Sequence, residues 1–279
     1  MNLVTIYDYP STRVNEQHLL SLWLDHVNEY AKNFKVHIIY GDSGIPTEIY
    51  SKISNCKNIE VKLVKGQKCP TQYDVRRIDN NFHVNFNAYN VLTYGKSLGE
   101  PIIYLDLDAI LISELDEWWS IINEKKFMGT MHYPIGENLN GGIYSISDWN
   151  YMDFDKIIKK YFENHSKYEK VRDLCKEVDS VGKSIRNYTL HDSIFTSSGE
   201  LKSGDQSLFI NYFICTENTP YYDKLDVGWN YFANYCNYEL KNGLINVNTI
   251  QNRMGYNISK AKVLHFYATA KKKLYEAYF

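Results

Sequence analysis

The chain has 279 residues, a formal net charge of −2, 44% hydrophobic and 23% charged residues, an ordinary globular composition long enough for one large α/β domain or two small ones. So small a net charge excludes a whole-molecule field that steers the protein to nucleic acid or to an anionic membrane. No apolar run approaches a membrane span, the first eight residues lack the basic and apolar regions of a signal peptide, and the five scattered cysteines, none spaced Cys-x-x-Cys, indicate neither a disulfide framework nor a zinc site, so a cytoplasmic protein is expected.

Leu3 to Tyr7 is a short apolar run stopped by Asp8-Tyr9-Pro10-Ser11, which predicts a first buried strand entering a loop. Glu16 to Tyr30 carries apolar residues at Leu19, Leu20, Trp23, Leu24 and Val27, a helical spacing. Val36 to Tyr40 predicts the next strand, Glu48 to Ile53 a weak helix, and Ile59 to Val64 a third strand. Strands alternating with helices in this order argue a parallel sheet with helices on its faces. Asn80 to Tyr94 predicts a helix that leads through Gly95 and Gly99-Glu100-Pro101 into a central strand. A short helix at Asp116 to Ile122, a strand at Phe127 to His132, and a glycine turn entering a strand over Asn138 to Ile146 follow. The segment from Asp153 to Leu201 is polar and helical in its first half. Gly204-Asp205-Gln206 opens a helix, Val263 to Phe266 is a late strand, and the tail from Lys271 to Phe279 is basic and aromatic.

The stretch Ile102-Ile103-Tyr104-Leu105-Asp106-Leu107-Asp108 holds the strongest chemical signal. β-Branched and aromatic residues suit a strand covered on both faces. Two carboxylates at its end must be paired or bind a cation if they are buried, and hard oxygen ligands suit Mg²⁺ or Mn²⁺. A surface turn whose aspartates cap the next segment uses the same residues. In open α/β sheets ligands bind at the carboxyl ends of strands, where the strand order reverses. Asp8 and Asp106 both occupy such ends, and His265 ends a third apolar run.

The ordered set Tyr104-Leu105-Asp106-Leu107-Asp108, Asn140-Gly141-Gly142, Gly204-Asp205-Gln206, and His265 with Lys271 six residues on resembles the GT-A glycosyltransferases of the family 8 type, the branch of glycogenin and the bacterial lipopolysaccharide galactosyltransferases, with related bacterial and phage proteins. The resemblance runs from Val4 to Lys271. It implies a single α/β domain over residues 1–279 with a mixed, mostly parallel Rossmann-like sheet, and a polar helical insertion at 153–201 on the acceptor side. It further implies a nucleotide-sugar donor, a UDP-sugar, and an acceptor hydroxyl on a glycan or glycolipid. Asp106, Asp108 and His265 would ligate Mn²⁺ or Mg²⁺, and an imidazole beside two carboxylates favours Mn²⁺. Lys271 would add positive charge at the diphosphate. Asp8 and Tyr9 match the position that reads the base or ribose, and a turn-capping role accounts for Asp8 equally well. Asn140, Gly141 and Gly142 match the family's Asn-small-Gly turn, where backbone nears the donor sugar. Asp205 and Gln206 match the pair beside the reacting sugar; Gln206 is a poor nucleophile and is given no covalent role.

Two departures stand out. The family's Arg in the helix before the central strand is missing from Asn80 to Tyr94, with Arg76 and Arg77 just upstream to substitute. Lys272 stands where the family often has Pro. The insertion offers Tyr161, Tyr168, Tyr188 and His191 for a flat acceptor. Its excess of Lys and Arg is too mild to argue a phosphate-binding face, so a modified DNA base is the lesser acceptor. A haloacid-dehalogenase-type phosphatase also uses Asp-x-Asp after an apolar strand, but near the chain start. A carbohydrate-binding protein without catalysis is the other alternative.

Overall fold

The computed structural model describes residues 1–8, 14–68, 86–131, 139–165, 205–215, 223–250, 261–267 and 269–278. Within them the chain runs β1 (Asn2–Tyr7), α1 (Val14–Tyr30), β2 (Lys35–Tyr40), α2 (Thr47–Asn55), β3 (Glu60–Lys65), α3 (Phe86–Leu98), β4 (Ile102–Leu105) and β5 (Ala109–Leu111). It continues through α4 (Asp116–Ile121), β6 (Phe127–Met131), β7 (Leu139–Ile146), α5 (Phe154–His165), α6 (Asp205–Cys215), β8 (Asp223–Lys224), β9 (Tyr231–Phe232), β10 (Cys236–Lys241), β11 (Leu244–Ile250), β12 (Val263–His265) and α7 (Thr269–Tyr278).

A seven-stranded sheet in the order β3-β2-β1-β4-β7-β6-β8 forms the centre. β3, β2, β1 and β4 pair in parallel. β7 runs antiparallel to both β4 and β6, and β6 pairs in parallel with β8. The parallel half follows from the alternating strands and helices, and the mixed sheet as a whole is the one the resemblance implies. Side chains alternate across each strand, and the core splits accordingly. Leu3 and Tyr7 of β1, with Ile103 and Leu105 of β4, join the cluster built on Leu19, Trp23 and Val27 of α1. Val4 and Ile6, with Ile102 and Tyr104, join the opposite cluster built on α3, α5 and α6. Strand order reverses at β1, because β2 lies on one side and β4 on the other. The carboxyl ends of β1 and β4 therefore flank the switch point where such sheets bind ligands.

A second, three-stranded sheet, β5-β12-β9, leaves this same edge. β12 runs antiparallel to β5, with His265 opposite Ala109, and parallel to β9. His26 of α1 fastens this layer to the rest. Its Nδ1 donates to the Leu111 carbonyl at 2.5 Å, and its Nε2 accepts from the Ile245 amide at 2.8 Å.

The central strand matches the sequence reading to the residue, and the first three strands match within one residue. The third helix runs past Gly95 to Leu98, and its predicted beginning, 80–85, lies outside the described residues. Gly95 leaves room inside this helix for the Trp149 ring: a Cβ there would meet ring carbons at 2.0–2.7 Å. Asn140-Gly141-Gly142 sits inside β7 and not in the turn before it. The hairpin β10–β11 was not anticipated, although Asn242 and Gly243 at its tip both take positive φ, 54° and 80°, the signature of a tight two-residue turn.

Candidate active site

The Asp106-Leu107-Asp108 stretch forms the corner where the chain leaves one sheet for the other. β4 ends at Leu105, the Ala109 amide closes a turn onto the Asp106 carbonyl at 3.0 Å, and β5 departs into the small sheet. The corner sends the two carboxylates to different surroundings.

Asp106 keeps the parity of Ile102 and Tyr104. The Tyr104 hydroxyl donates to Asp106 Oδ1 at 2.6 Å, and the Asp106 amide donates to the Gly142 carbonyl at 2.8 Å. Tyr104 is itself held by its stack on Tyr144, with ring centroids 4.8 Å apart. Gly142 leaves space for the Asp106 carboxylate, since a Cβ there would lie 2.3 Å from Asp106 Oδ2 and force a shift. Asn140, buried, accepts from the Gly142 amide at 2.8 Å. The Gly141 amide donates to Gln206 Oε1 at 3.2 Å. A Cβ on Gly141 would strike the backbone of Gln206 at 2.9 Å, so this glycine lets the start of α6 close onto β7. Asp106, Asn140, Gly141, Gly142 and Gln206 thus lie together. Asp205 is the first residue of α6.

Asp108 meets a different set of partners. His265 Nε2 lies 3.4 Å from its Oδ1, and Lys271 Nζ lies 3.6 Å from its Oδ2. Backbone pairing fixes this meeting, because the Phe266 amide donates to the Asp108 carbonyl at 2.8 Å. Burial raises the Asp108 carboxyl's pKa, yet its hydrogen bond to His265 and the charges of His265 and Lys271 outweigh that and hold it below the ordinary carboxylate range. Two residues absent from the sequence reading complete this side. Asn230 Oδ1 sits 3.0 Å from His265 Nδ1, delivered by a 3-10 turn that Asp226 caps through the Gly228 amide at 2.8 Å. Glu16 of α1 places Oε2 at 3.2 Å from Lys271 Nζ. No motif marks Asn230; the trace of Glu16 is a carboxylate in the first turn of a helix, three residues before the buried Leu19.

Asp8 follows β1 and lies against Gly41, at the end of β2. A Cβ on Gly41 would fall 1.6 Å from Asp8 Oδ1, so the carboxylate occupies the space a side chain would fill. Gly41 carried no motif, but a glycine ending a core strand was the available signal. β1 and β4 are adjacent parallel strands, so Asp8 and Asp106 leave the same edge of the sheet. Tyr9, Arg76, Arg77, Tyr168, Tyr188 and His191 lie outside the described residues. Of the insertion, α5 is described, and Tyr161 is buried in the core there.

The donors beside Asp108 fit a divalent cation. Asn230 Oδ1, an acceptor, faces His265 Nδ1 and orients the ring, so that Nε2 and Asp108 Oδ1, 3.4 Å apart, present a pair of donor atoms to one side where a proton or a cation can lie between them. Carboxylate plus imidazole is a donor set suited to Mn²⁺. Among the described residues no group of three or more His, Cys, Asp or Glu stands ready to hold a metal. Asp106, third of the expected set, is turned onto Tyr104 and the Gly142 backbone.

Fold and edge together define the class: this chain has the GT-A glycosyltransferase fold. Mouse xyloside xylosyltransferase 1, in its apo form, aligns with a TM-score of 0.52 at 11% identity over 95% of this chain and 97% of its own. The apo form of the glycosyltransferase GlyE of Streptococcus pneumoniae aligns at TM-score 0.47 and 16% identity, over 82% of this chain and 46% of that one. The galactosyltransferase LgtC, in complex with donor and acceptor sugar analogues, aligns at 0.47 and 14% identity, over 84% and 77%. The chain spans about half the length of the pneumococcal protein (46%). No protein-family model and no curated protein matches the sequence.

Proposed function

We propose that the chain is a metal-dependent glycosyltransferase that moves a sugar from a UDP-sugar to a hydroxyl of a glycan or glycolipid. The observation that carries this reading is the meeting of Asp108, His265 and Lys271, from three separate elements, at the switch point of a GT-A sheet. Breaking a glycosyl–phosphate bond leaves negative charge on the diphosphate. Lys271 holds an ammonium where that charge would develop, partly buried and so only weakly screened. Asp108 and His265 would hold a divalent cation, with Asp106 beside them, and such an ion supplies Lewis-acid neutralisation of the leaving group.

The neutral flank serves the sugar. Gly141 and Gly142 bring bare backbone close, while Asn140 and Gln206 hold that backbone in place. Asp205 and Gln206 take the position beside the anomeric centre by resemblance. Asp8 accepts from a base N–H or a ribose hydroxyl, with Tyr9 next to it and Arg77 as the donor-sugar contact. The segment 153–201 recognises the acceptor.

A thermal-shift panel of nucleotide-sugars, with and without Mn²⁺, tests this directly, because a ligand that binds only the native state raises its apparent stability. UDP-sugars should raise the melting temperature with Mn²⁺ and much less after chelation. Equal shifts with and without metal would remove the metal from the reading. Phosphate release from a generic phosphoester would install the phosphatase alternative, and sugar binding without donor turnover the carbohydrate-binding one.

A further inference from the structure

We propose that Glu16 is the positioning residue for Lys271: it holds the ammonium at the diphosphate side of the site when Asp108 is engaged elsewhere. The inference rests on the glycosyltransferase reading and adds a residue to it.

A glutamate in the first turn of a helix is commonly there for the helix dipole, a role it fulfils in solvent. Glu16 is only 8% exposed. A carboxylate that far from water requires a charged partner, and Lys271 Nζ is 3.2 Å from its Oε2. The same ammonium is 3.6 Å from Asp108 Oδ2, so one cation stands between two carboxylates. They are not equivalent. Asp108 also touches His265 and belongs to the candidate cation site. Once its oxygens turn to a cation, its hold on Lys271 weakens, while the Glu16 contact lies outside the candidate cation site. Among the described residues Glu16 makes no second ion pair, and it comes from a different element, α1. It ties α1 to α7 across the end of the sheet, next to Tyr7, whose phenol is raised first by burial and then by the Glu16 charge. Lys271 is therefore placed by a contact that survives loading of the site. Preorganised charge of this kind acts without reorganising at the moment of reaction.

The test is a double-mutant cycle on Glu16→Gln, which keeps the shape and removes the charge, and Lys271→Met. Two quantities are read: stability of the unliganded protein by denaturant unfolding, and the affinity of UDP and of GDP in the presence of Mn²⁺ by calorimetry. Lys271→Met should weaken nucleoside diphosphate binding roughly tenfold or more, and Glu16→Gln about threefold to tenfold. The double variant should bind no more weakly than Lys271→Met alone, since Glu16 acts through that lysine. Coupling in stability with wild-type affinity in Glu16→Gln would make Glu16 a structural tie and overturn the proposal, as would additive losses of affinity. If wild type binds neither diphosphate while the stability coupling holds, the transferase reading fails and takes the positioning role with it. If both diphosphates bind and the stability effects simply add, the ion pair is not the cause and only the inference on Glu16 fails.

Discussion

Asp106 and Asp108 are separated by one residue and live in opposite kinds of environment. Among the described contacts, Asp106 meets a tyrosine hydroxyl, a backbone amide bond to β7, and a glycine whose missing Cβ makes room for it. Asp108 is held by charge, with an imidazole on one oxygen and an ammonium on the other. The neutral flank is built mostly from local strand geometry and from the fit of α6 on β7. The charged flank gathers α1, the β4–β5 corner, a 3-10 turn, β12 and α7. Shape should therefore dominate the first flank and electrostatics the second, and substitutions can separate the two.

The largest effect is expected from Asp108→Asn. It keeps size and removes the charge that faces both His265 and Lys271, so metal-dependent donor hydrolysis should fall by about 10³-fold or more, while the fold survives. Retained metal-dependent turnover in this variant would move the metal away from Asp108, and turnover that survives chelation would remove the metal from the reading. Lys271→Ala should lower turnover by roughly 10²-fold, the scale of one preorganised electrostatic donor. Its loss should appear in kcat more than in KM for the acceptor. A change confined to melting temperature would make Lys271 structural.

Gly142→Ala examines the neutral flank with no change in charge. The new methyl would lie 2.3 Å from Asp106 Oδ2, so the carboxylate or β7 must shift. A destabilisation of about 1–3 kcal/mol is expected, with a smaller loss of turnover than in Lys271→Ala. Wild-type stability and activity would mean that Asp106 swings away without consequence, and the contrast between the flanks would collapse.

The contrast also separates what was legible in the sequence. Asp106, Asp108, Asn140, Gly141 and Gln206 lie in short motifs at strand ends and a helix start, where local pattern and site coincide. The alternating strands and helices likewise gave away the central sheet, because burial on both faces writes near-continuous apolar runs such as Ile102 to Leu105. Asn230 and Glu16 were not legible. The role of Asn230 comes through the three-stranded sheet, whose strands are two or three residues long and leave almost no periodicity to read, and that of Glu16 comes from a long-range pairing of the first helix with the last. The hairpin β10–β11 escaped for a related reason: its exposed faces carry Asn, Lys and Glu, and only the Asn242-Gly243 turn betrays it.

The smallest expected effect concerns the joint beneath the charged flank. His26 lies fully buried between α1, β5 and β11, donating to Leu111 and accepting from Ile245. Burial pushes its pKa down to about 4, with the Leu111 carbonyl opposing only in part. A second proton on Nε2 would point at the Ile245 N–H, so the folded state keeps the ring neutral. His37 is lowered to about 4 as well, by burial and then by the charge of Lys62. A histidine whose folded pKa lies below its unfolded value binds more protons when unfolded. Stability is then complete above pH ~6.5, falls as the pH drops toward 4, and levels off below that. Each histidine contributes a slope of at most about 1.4 kcal/mol per pH unit inside the window. Denaturant unfolding between pH 4 and 7 measures the slope, and His26→Gln should flatten it. A flat profile in the wild type would show that the ring charges without opening the joint, and that the layer carrying His265 is held by something other than His26.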